Sequence, residues 1–351
     1  MPIENHDRLL NRRQLLGVAG SVAGTAMLSS NSQAESSSQT PPQIVRVVTV
    51  SYSPPFHDHR SQGIDLAPLR EMTAKVAREK PDFICFPEAC ACIGAGFIKG
   101  IETAPELSPY VETVGKIARE FNTALVVPFI EREGGKFYNS VPIVDRRGNF
   151  VLNYRKNYPT ISEMEAGISP GTEVPVAECD GVRVGAAVCF DANFDFIAAK
   201  LAEQRARLVF WPSMYWGGRL LQHWCQRYGF AMGVAYGAES AVIDMNGNYL
   251  SRQGQETLQV RNQHLPPWAM GDINVNRELY HLDYNQKKLA AIIEKYTPDI
   301  EIEVQEPEGF FLMASRRPDL RVESIAADFQ LETLQEYLVR SMRMRDGLLK
   351  G

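Results

Sequence analysis

This sequence has no surplus of positive charge. Its 37 Lys and Arg face 42 Asp and Glu, a formal net charge of -5, so it offers no electrostatic footprint to nucleic acid or to an anionic membrane surface. It has no long hydrophobic run. The apolar stretch from Leu15 to Leu28 is glycine-rich and falls short of the roughly 20 residues that a stable membrane span needs. No repeat recurs at solenoid spacing. Metal ligands do not occur in usable patterns. His57-Asp58-His59 has no further ligand nearby, and Cys90-Ala91-Cys92 lacks a second pair to complete a zinc site. Six cysteines (85, 90, 92, 179, 189 and 225) make an even count, yet no disulfide framework is expected. A chain this long, 44% apolar, buries a substantial core without covalent staples.

The first 34 residues read as separate from the fold. Asn11-Arg12-Arg13-Gln14-Leu15-Leu16 is similar to a twin-arginine export motif, the apolar segment follows it, and Ser32-Gln33-Ala34 ends in a small-x-small pattern suited to cleavage. Residues 35 to 43, serine-rich and closing on Pro41-Pro42, read as a flexible linker. The expected location is periplasmic or otherwise extracytoplasmic. Cargo of this route travels folded, which is a second reason to expect reduced thiols.

From residue 44 on, apolar runs and amphipathic stretches alternate. Ile44 to Val50 reads as a strand. Leu66, Leu69, Met72 and Val76 mark one helix face, and Leu107, Val111, Val114, Ala118 and Phe121 another. Strands are expected near 123–130, 137–145, 150–156, 208–211, 238–244 and 248–252, and helices near 194–204 and 219–229. Arg146-Arg147-Gly148-Asn149 has the composition of a hairpin turn. Such mixing suggests an α/β protein with two sheets face to face and helices outside. Residues 277 to about 325 read as irregular. Leu331, Leu334, Leu338 and Met342 then mark a last amphipathic helix, whose stripe docks on its own protomer or on a neighbour.

Three strand ends carry chemistry. Val182 to Val188 is an apolar run read as a buried strand, with the thiol of Cys189 at its end and Phe190 and Asp191 after it. Asp82-Phe83-Ile84-Cys85-Phe86-Pro87-Glu88 places a carboxylate just past a proline that closes a strand. In Phe150 to Lys156, Phe150, Leu152 and Tyr154 alternate to one face, and Lys156 falls on that same face. Taken singly, each has an ordinary explanation: a core cysteine, a loop carboxylate, a lysine snorkelling from a strand end. Together they supply acyl transfer through a thioester. The carboxylate takes the thiol proton, the thiol attacks, and the ammonium with the backbone N–H of Phe190 stabilises the oxyanion.

In this order the residues resemble the nitrilase superfamily of carbon–nitrogen hydrolases. The resemblance rests on Phe86-Pro87-Glu88, Tyr154-Arg155-Lys156 and Val188-Cys189-Phe190-Asp191. Fainter echoes are Phe137-Tyr138-Asn139-Ser140, Ser169-Pro170-Gly171-Thr172, Trp211-Pro212-Ser213, Gly271-Asp272-Ile273-Asn274 and Arg316-Arg317-Pro318-Asp319-Leu320. It covers about residues 44 to 322 and leaves 323–351 as a helical tail. It implies a four-layer α-β-β-α sandwich, a triad of Glu88, Lys156 and Cys189, no metal or organic cofactor, and association into a homodimer or larger homo-oligomer. It also implies a second glutamate beside the lysine. The Lys-x-x-Pro-Thr-x-x-Glu pattern points to Glu163, with Glu165 the alternative. Phe190, Tyr138, Asn193, Trp211 and Tyr215 are the expected substrate-facing residues, although core and rim aromatics also fit the last two.

Within that superfamily the motifs divide. Cys189 to Phe194 is similar to the Cys-x-Asp-x-Asn-aromatic stretch of aliphatic amidases, whereas the loop after Lys156 looks like that of some nitrilases. Asp195 stands where Pro-Glu is usual. The expectation is an exported amidase acting on a linear amide or N-carbamoyl substrate. The alternatives are a nitrilase using the same thiol and a non-catalytic exported binding protein. A papain-like pairing of Cys189 with His223, His264 or His281 lacks the usual surround of such a cysteine. A metal-dependent phosphoesterase lacks clustered acidic ligands.

Overall fold

In a computed structural model, residues 44–51, 66–91, 101–254 and 266–350 are described. The expected export signal and linker, His57-Asp58-His59, Cys92 and His264 lie outside them. Alternating apolar residues build a first sheet. Strands β1 (Ile44–Val50), β2 (Phe83–Cys85) and β3 (Ala124–Val126) lie parallel. Strands β4 (Phe129–Glu133) and β6 (Phe150–Arg155) both pair antiparallel with β5 (Lys136–Val144), which joins β3.

The second sheet runs in reverse chain order from β12 (Tyr249–Gly254) through β11 (Glu239–Ile243), β10 (Ala231–Tyr236), β9 (Leu208–Ser213) and β8 (Val182–Ala186) to β7 (Val176–Cys179). Its β8, β9 and β10 are parallel. Strand β13 (Trp268–Asn274) returns to pair antiparallel with β1.

Period-two alternation sends each strand's side chains to two faces. Val45 and Val47 of β1 and Phe83 and Cys85 of β2 join one buried cluster with residues of β8, β9 and β10, while Val48, Val50, Ile84 and Phe86 join a different one. The first cluster is the contact between the sheets. There Phe83 meets Phe210 at 5.5 Å between ring centroids, and Thr49 Oγ1 donates to Ala241 O at 3.2 Å. The second cluster contains helices α1 (Ala67–Val76) and α2 (Leu107–Phe121). A single-turn helix α3 (Ile161–Glu165) follows β6. Helices α4 (Asp195–Glu203) and α5 (Arg219–Tyr228) pack on the second sheet. A Cβ on Gly185 of β8 would lie 2.5 Å from Leu201 Cδ2, so a side chain there would force the Leu201 side chain of α4 to shift. Each fully buried Val, Leu or Phe stabilises this arrangement by about 1.5–3 kcal/mol.

The turn from Asp145 to Asn149 fixes β6 and therefore the lysine beyond it. Asp145 Oδ1 accepts from the backbone N–H groups of Arg147 and Asn149 at 2.9 and 2.8 Å. Gly148 takes φ +81°, and a Cβ there would meet Gly115 O of α2 at 2.5 Å. Phe150 differs from its expected inward position. It opens the strand 49% exposed, and the inward face begins at Leu152.

Residues 277 to 325 are not irregular. Strands β14 (Arg277–His281), β15 (Ile300–Gln305) and β16 (Phe310–Ser315) form a third sheet with β16 central, packed with α6 (Leu289–Tyr296) and α7 (Val322–Phe329). The prolines of this stretch, Pro298, Pro307 and Pro318, lie outside the strands, and all six residues of β16 are buried. Strand β14 opens on Arg277-Glu278 and β15 interleaves Glu301 and Glu303 with its apolar residues, which masks both edge strands in a search for apolar runs. The last helix, α8 (Leu334–Leu348), does not bury the stripe expected of it. Leu331 and Leu334 pack inward, but Met342 is 57% exposed. Among the described residues no helix is long and apolar enough to cross a membrane. The described cysteines, Cys85, Cys90, Cys179, Cys189 and Cys225, are all buried and outside disulfides.

Candidate active site

The site gathers where strands of both sheets end. Phe86 N donates to Val126 O at 3.0 Å, closing β2 before Pro87 and Glu88 turn away. Lys156 shares the inward face of Leu152 and Tyr154, and both its main-chain groups are pinned: its N–H bonds Asn139 O, and its carbonyl accepts from Gly171 N, each at 2.8 Å. Thr160 caps α3 in a capping box, accepting from Glu163 N at 3.3 Å while Thr160 N donates to Glu163 Oε2 at 2.7 Å. Strand β8 stops at Ala186, earlier than expected. Cys189 opens a short 3₁₀ turn with φ +47°, a left-handed conformation that a β-substituted residue holds only where surrounding contacts enforce it.

The charges interlock. Lys156 is 1% exposed, and its Nζ donates to Glu88 Oε1 at 2.8 Å and to Glu163 Oε2 at 2.7 Å. Asn139 Nδ2 bridges the same carboxylates, at 2.7 Å from Glu88 Oε1 and 2.9 Å from Glu163 Oε1. Both oxygens of Glu163 are therefore engaged by donors. Glu88 Oε2 is buried and has no hydrogen-bond partner among the described residues. One carboxylate is consumed in holding the lysine, and the other keeps an oxygen free for a proton.

Burial opposes the charge on Lys156, but Glu88, Cys189 and Glu163 outweigh it and hold the ammonium above its ordinary range. Burial alone raises Glu163; the Lys156 charge and hydrogen bond, with those from Thr160 and Asn139, bring it below the usual carboxylate value. The Cys189 thiol is pushed up to about 12 by burial and then by the Glu88 charge, against Lys156, the Met214 N–H and the Ser213 hydroxyl. The resting cysteine is thus a neutral thiol. Losing its proton to solvent would add a second uncompensated anion to the cluster. Passing that proton to Glu88 leaves the net charge unchanged, so this geometry suits proton transfer concerted with attack.

The structure brings Glu88, Lys156, Cys189 and Glu163 together, and Glu165 lies exposed on α3. Phe190 stands at the rim, 38% exposed, edge-on to Phe194 at 5.7 Å. Asn193 Nδ2 donates to Phe190 O at 3.0 Å, and Asn193 also bonds the Tyr215 phenol. Trp211 is fully buried, its ring 5.5 Å from that of the half-buried Tyr215. Tyr138 is not among them. It sits on the opposite face of β5 from Asn139, beneath the Arg155 guanidinium at 4.3 Å, and lines a separate recess with Arg155 and Pro170. His281 lies in the third sheet, stacked on Tyr337. No group of three or more His, Cys, Asp or Glu that could hold a metal occurs among the described residues.

Three contributors were seen only in part, or not at all, in the sequence. Asn139 is one that the sequence offers only jointly with Tyr138, as support for the site from the neighbouring strand; alternation with Val141 and Ile143 marks Asn139 as the inward residue of the pair. Ser213 shares a strand face with Trp211 by the same rule and reaches the thiol. Asp191 looked like part of a motif, and only the fold shows what its carboxylate holds.

A carbon–nitrogen hydrolase family model matches residues 61–266. An (R)-stereoselective amidase of a Pseudomonas species is 32% identical over 132 residues, 36% of this chain and 46% of that protein. A citrullinase of Francisella tularensis is 27% identical over 179 residues, 48% of this chain and 61% of that protein. The chain spans about half the length of the curated relatives it matches. Among solved structures, an amidase from Nesterenkonia sp. aligns with a TM-score of 0.53 and 19% identity, over 72% of this chain and 96% of that one. A variant of that amidase carries the acetamide moiety of fluoroacetamide covalently at its active site cysteine.

Proposed function

The chain belongs to the carbon–nitrogen hydrolase family, and from that premise we propose that it hydrolyses a linear amide or N-carbamoyl substrate through a thioester on Cys189. The observation that carries this reading is the division of labour between two carboxylates on one buried ammonium, with Glu88 Oε2 left unpartnered among the described residues and the Glu88 charge acting on the Cys189 thiol.

Cys189 Sγ attacks the carbonyl carbon as its proton passes to Glu88. The electron pair displaced onto the carbonyl oxygen is held by Lys156 and the Phe190 N–H. The tetrahedral adduct collapses, the carbon–nitrogen bond breaks, and the leaving ammonia or amine takes the proton from Glu88. Water, deprotonated by Glu88, then cleaves the thioester to a carboxylic acid and restores the thiol. Glu163 positions the lysine throughout. No metal or organic cofactor enters the scheme.

The layering of helices, sheet, sheet and helices supports the four-layer α-β-β-α sandwich of the nitrilase type. Cys-Phe-Asp-Ala-Asn-Phe at 189–194 favours an amide over a nitrile. The twin-arginine-like segment supports an extracytoplasmic site of action, and we propose a homodimer or larger homo-oligomer as the working assembly. A panel of matched amides, N-carbamoyl compounds and nitriles, scored for released ammonia or amine, tests the reading. Turnover of the amide or carbamoyl members, abolished in Cys189→Ala with the fold retained, is the expected result. Unchanged turnover in Cys189→Ala refutes the mechanism, and turnover of nitriles alone refutes the substrate class.

A further inference from the structure

Asp191 is wholly buried and takes no part in the scheme above, yet its carboxylate accepts three hydrogen bonds from two different arms of the site. Oδ2 accepts from the Tyr154 hydroxyl at 2.7 Å and from Val188 N at 2.9 Å. Oδ1 accepts from Tyr158 N at 2.8 Å. Tyr154 and Tyr158 lie two residues to either side of Lys156, and Val188 immediately precedes Cys189. One carboxylate thus ties the lysine segment to the nucleophile turn. Cys189 stands beside it in the left-handed region, a conformation that relaxes unless neighbouring bonds hold it.

We infer that Asp191 is a positioning residue whose anionic carboxylate clamps the Lys156 segment to the Cys189 turn, so that the thiol is reactive only while the clamp is charged. This rests on the reading of Cys189 as the nucleophile. A carboxylate is acceptor-only and accommodates three donors, whereas a carboxylic acid must point its own O–H at one of them and loses at least one bond. The titratable groups acting on Asp191 are the Tyr154 phenol and the Lys156 ammonium, both from the lysine segment; Val188 and Tyr158 contribute only their N–H groups. Burial pushes the acid up to about 6, against the bonds from Tyr154, Val188 and Tyr158 and the Lys156 charge. The clamp is therefore charged above that value and slackens as pH falls through it.

The experiment follows the rate at which iodoacetamide alkylates Cys189 in the full chain from pH 5 to 8, read by mass at the Cys189 peptide. The wild type is expected to show an acid limb near pH 6. Asp191→Asn has nothing to titrate at this position and turns an N–H toward donors. Its limb disappears and its plateau falls about a hundredfold, the scale of a reacting group displaced by about 1 Å. Tyr154→Phe removes one donor that favours the anion, so its limb moves to higher pH. A role confined to structural support would leave the limb in place in both variants. An unmoved limb in Tyr154→Phe overturns the inference even where Asp191→Asn fails to fold, as does wild-type reactivity in Asp191→Asn. Alkylation needs no substrate, so a limb that behaves as stated without turnover of any amide counts against the hydrolase reading alone.

Discussion

Replacing Lys156 by Met tests the electrostatic core of the site. The methionine keeps much of the stem volume and deletes the ammonium. Two buried carboxylates, 4% and 8% exposed, then lose their shared cation at 2.8 and 2.7 Å and keep the Asn139 bridge and, at Glu163, the Thr160 N–H. Removing one partner of a buried pair costs about 3–5 kcal/mol, a large part of the roughly 5–15 kcal/mol that holds a domain together.

The pH dependence identifies the cause. In the wild type Glu163 is held below its unfolded value, so it binds fewer protons folded than unfolded. Its contribution is present above the ordinary carboxylate range and is lost as pH falls below that range. Without the ammonium, burial dominates and Glu163 retains its proton when folded, so the sign reverses and the variant regains stability on acidification. One extra bound proton corresponds to about 1.4 kcal/mol per pH unit. The deficit relative to wild type therefore shrinks by roughly 2–3 kcal/mol between pH 7 and pH 5. Urea unfolding of both proteins at pH 5, 6, 7 and 8 measures this. A deficit below about 1 kcal/mol at pH 7, far under the cost of an orphaned buried charge, or one that does not change with pH, refutes the reasoning.

Other outcomes follow from the same geometry. Asn139→Leu leaves both carboxylates one donor short, and kcat is expected to fall about ten- to a hundredfold, the range of a lost supporting hydrogen bond, with the thermal midpoint within a few degrees of wild type; steady-state kinetics at wild-type level would show the bridge to be passive. Glu131 is fully buried and accepts from Asn153 Nδ2, Arg155 Nε and Arg155 Nη2 at 2.9, 3.0 and 2.6 Å, on the face of β5 away from Asn139. Glu131→Gln should cost about 2–3 kcal/mol in denaturant unfolding while KM stays unchanged, and a raised KM would place that face of β5 in substrate binding. Turnover in excess EDTA should equal the untreated rate, and loss restored by a divalent ion would overturn the metal-free scheme.

Much of the site was legible in the chain because strand ends advertise themselves. Glu88 follows a strand-closing proline, Lys156 continues an inward alternation, and Cys189 ends an apolar run. Glu163 was legible only through resemblance to the Lys-x-x-Pro-Thr-x-x-Glu pattern; the structure supplies the physical reason, a capping box with Thr160 that turns its carboxylate back toward the chain that carries Lys156. Tyr138 misled because an aromatic beside an active-site motif attracts attention, whereas parity along β5 gives the inward position to Asn139. The third sheet was hidden because β14 opens on two charges, β15 alternates with glutamates and the prolines of the stretch punctuate rather than interrupt.

The linear chain alone determined which groups were on hand and which face each strand residue takes, since alternation and capping act over a few neighbours. Tertiary structure decided what no short-range rule carries. It set which carboxylate oxygen stays unpartnered, how one amide bridges two acids 75 residues apart in sequence (Glu88 and Glu163), and that the Asp191 carboxylate joins two arms of the site. Those outcomes depend on contacts between distant segments, where burial strengthens each charge interaction and leaves little room for an alternative arrangement.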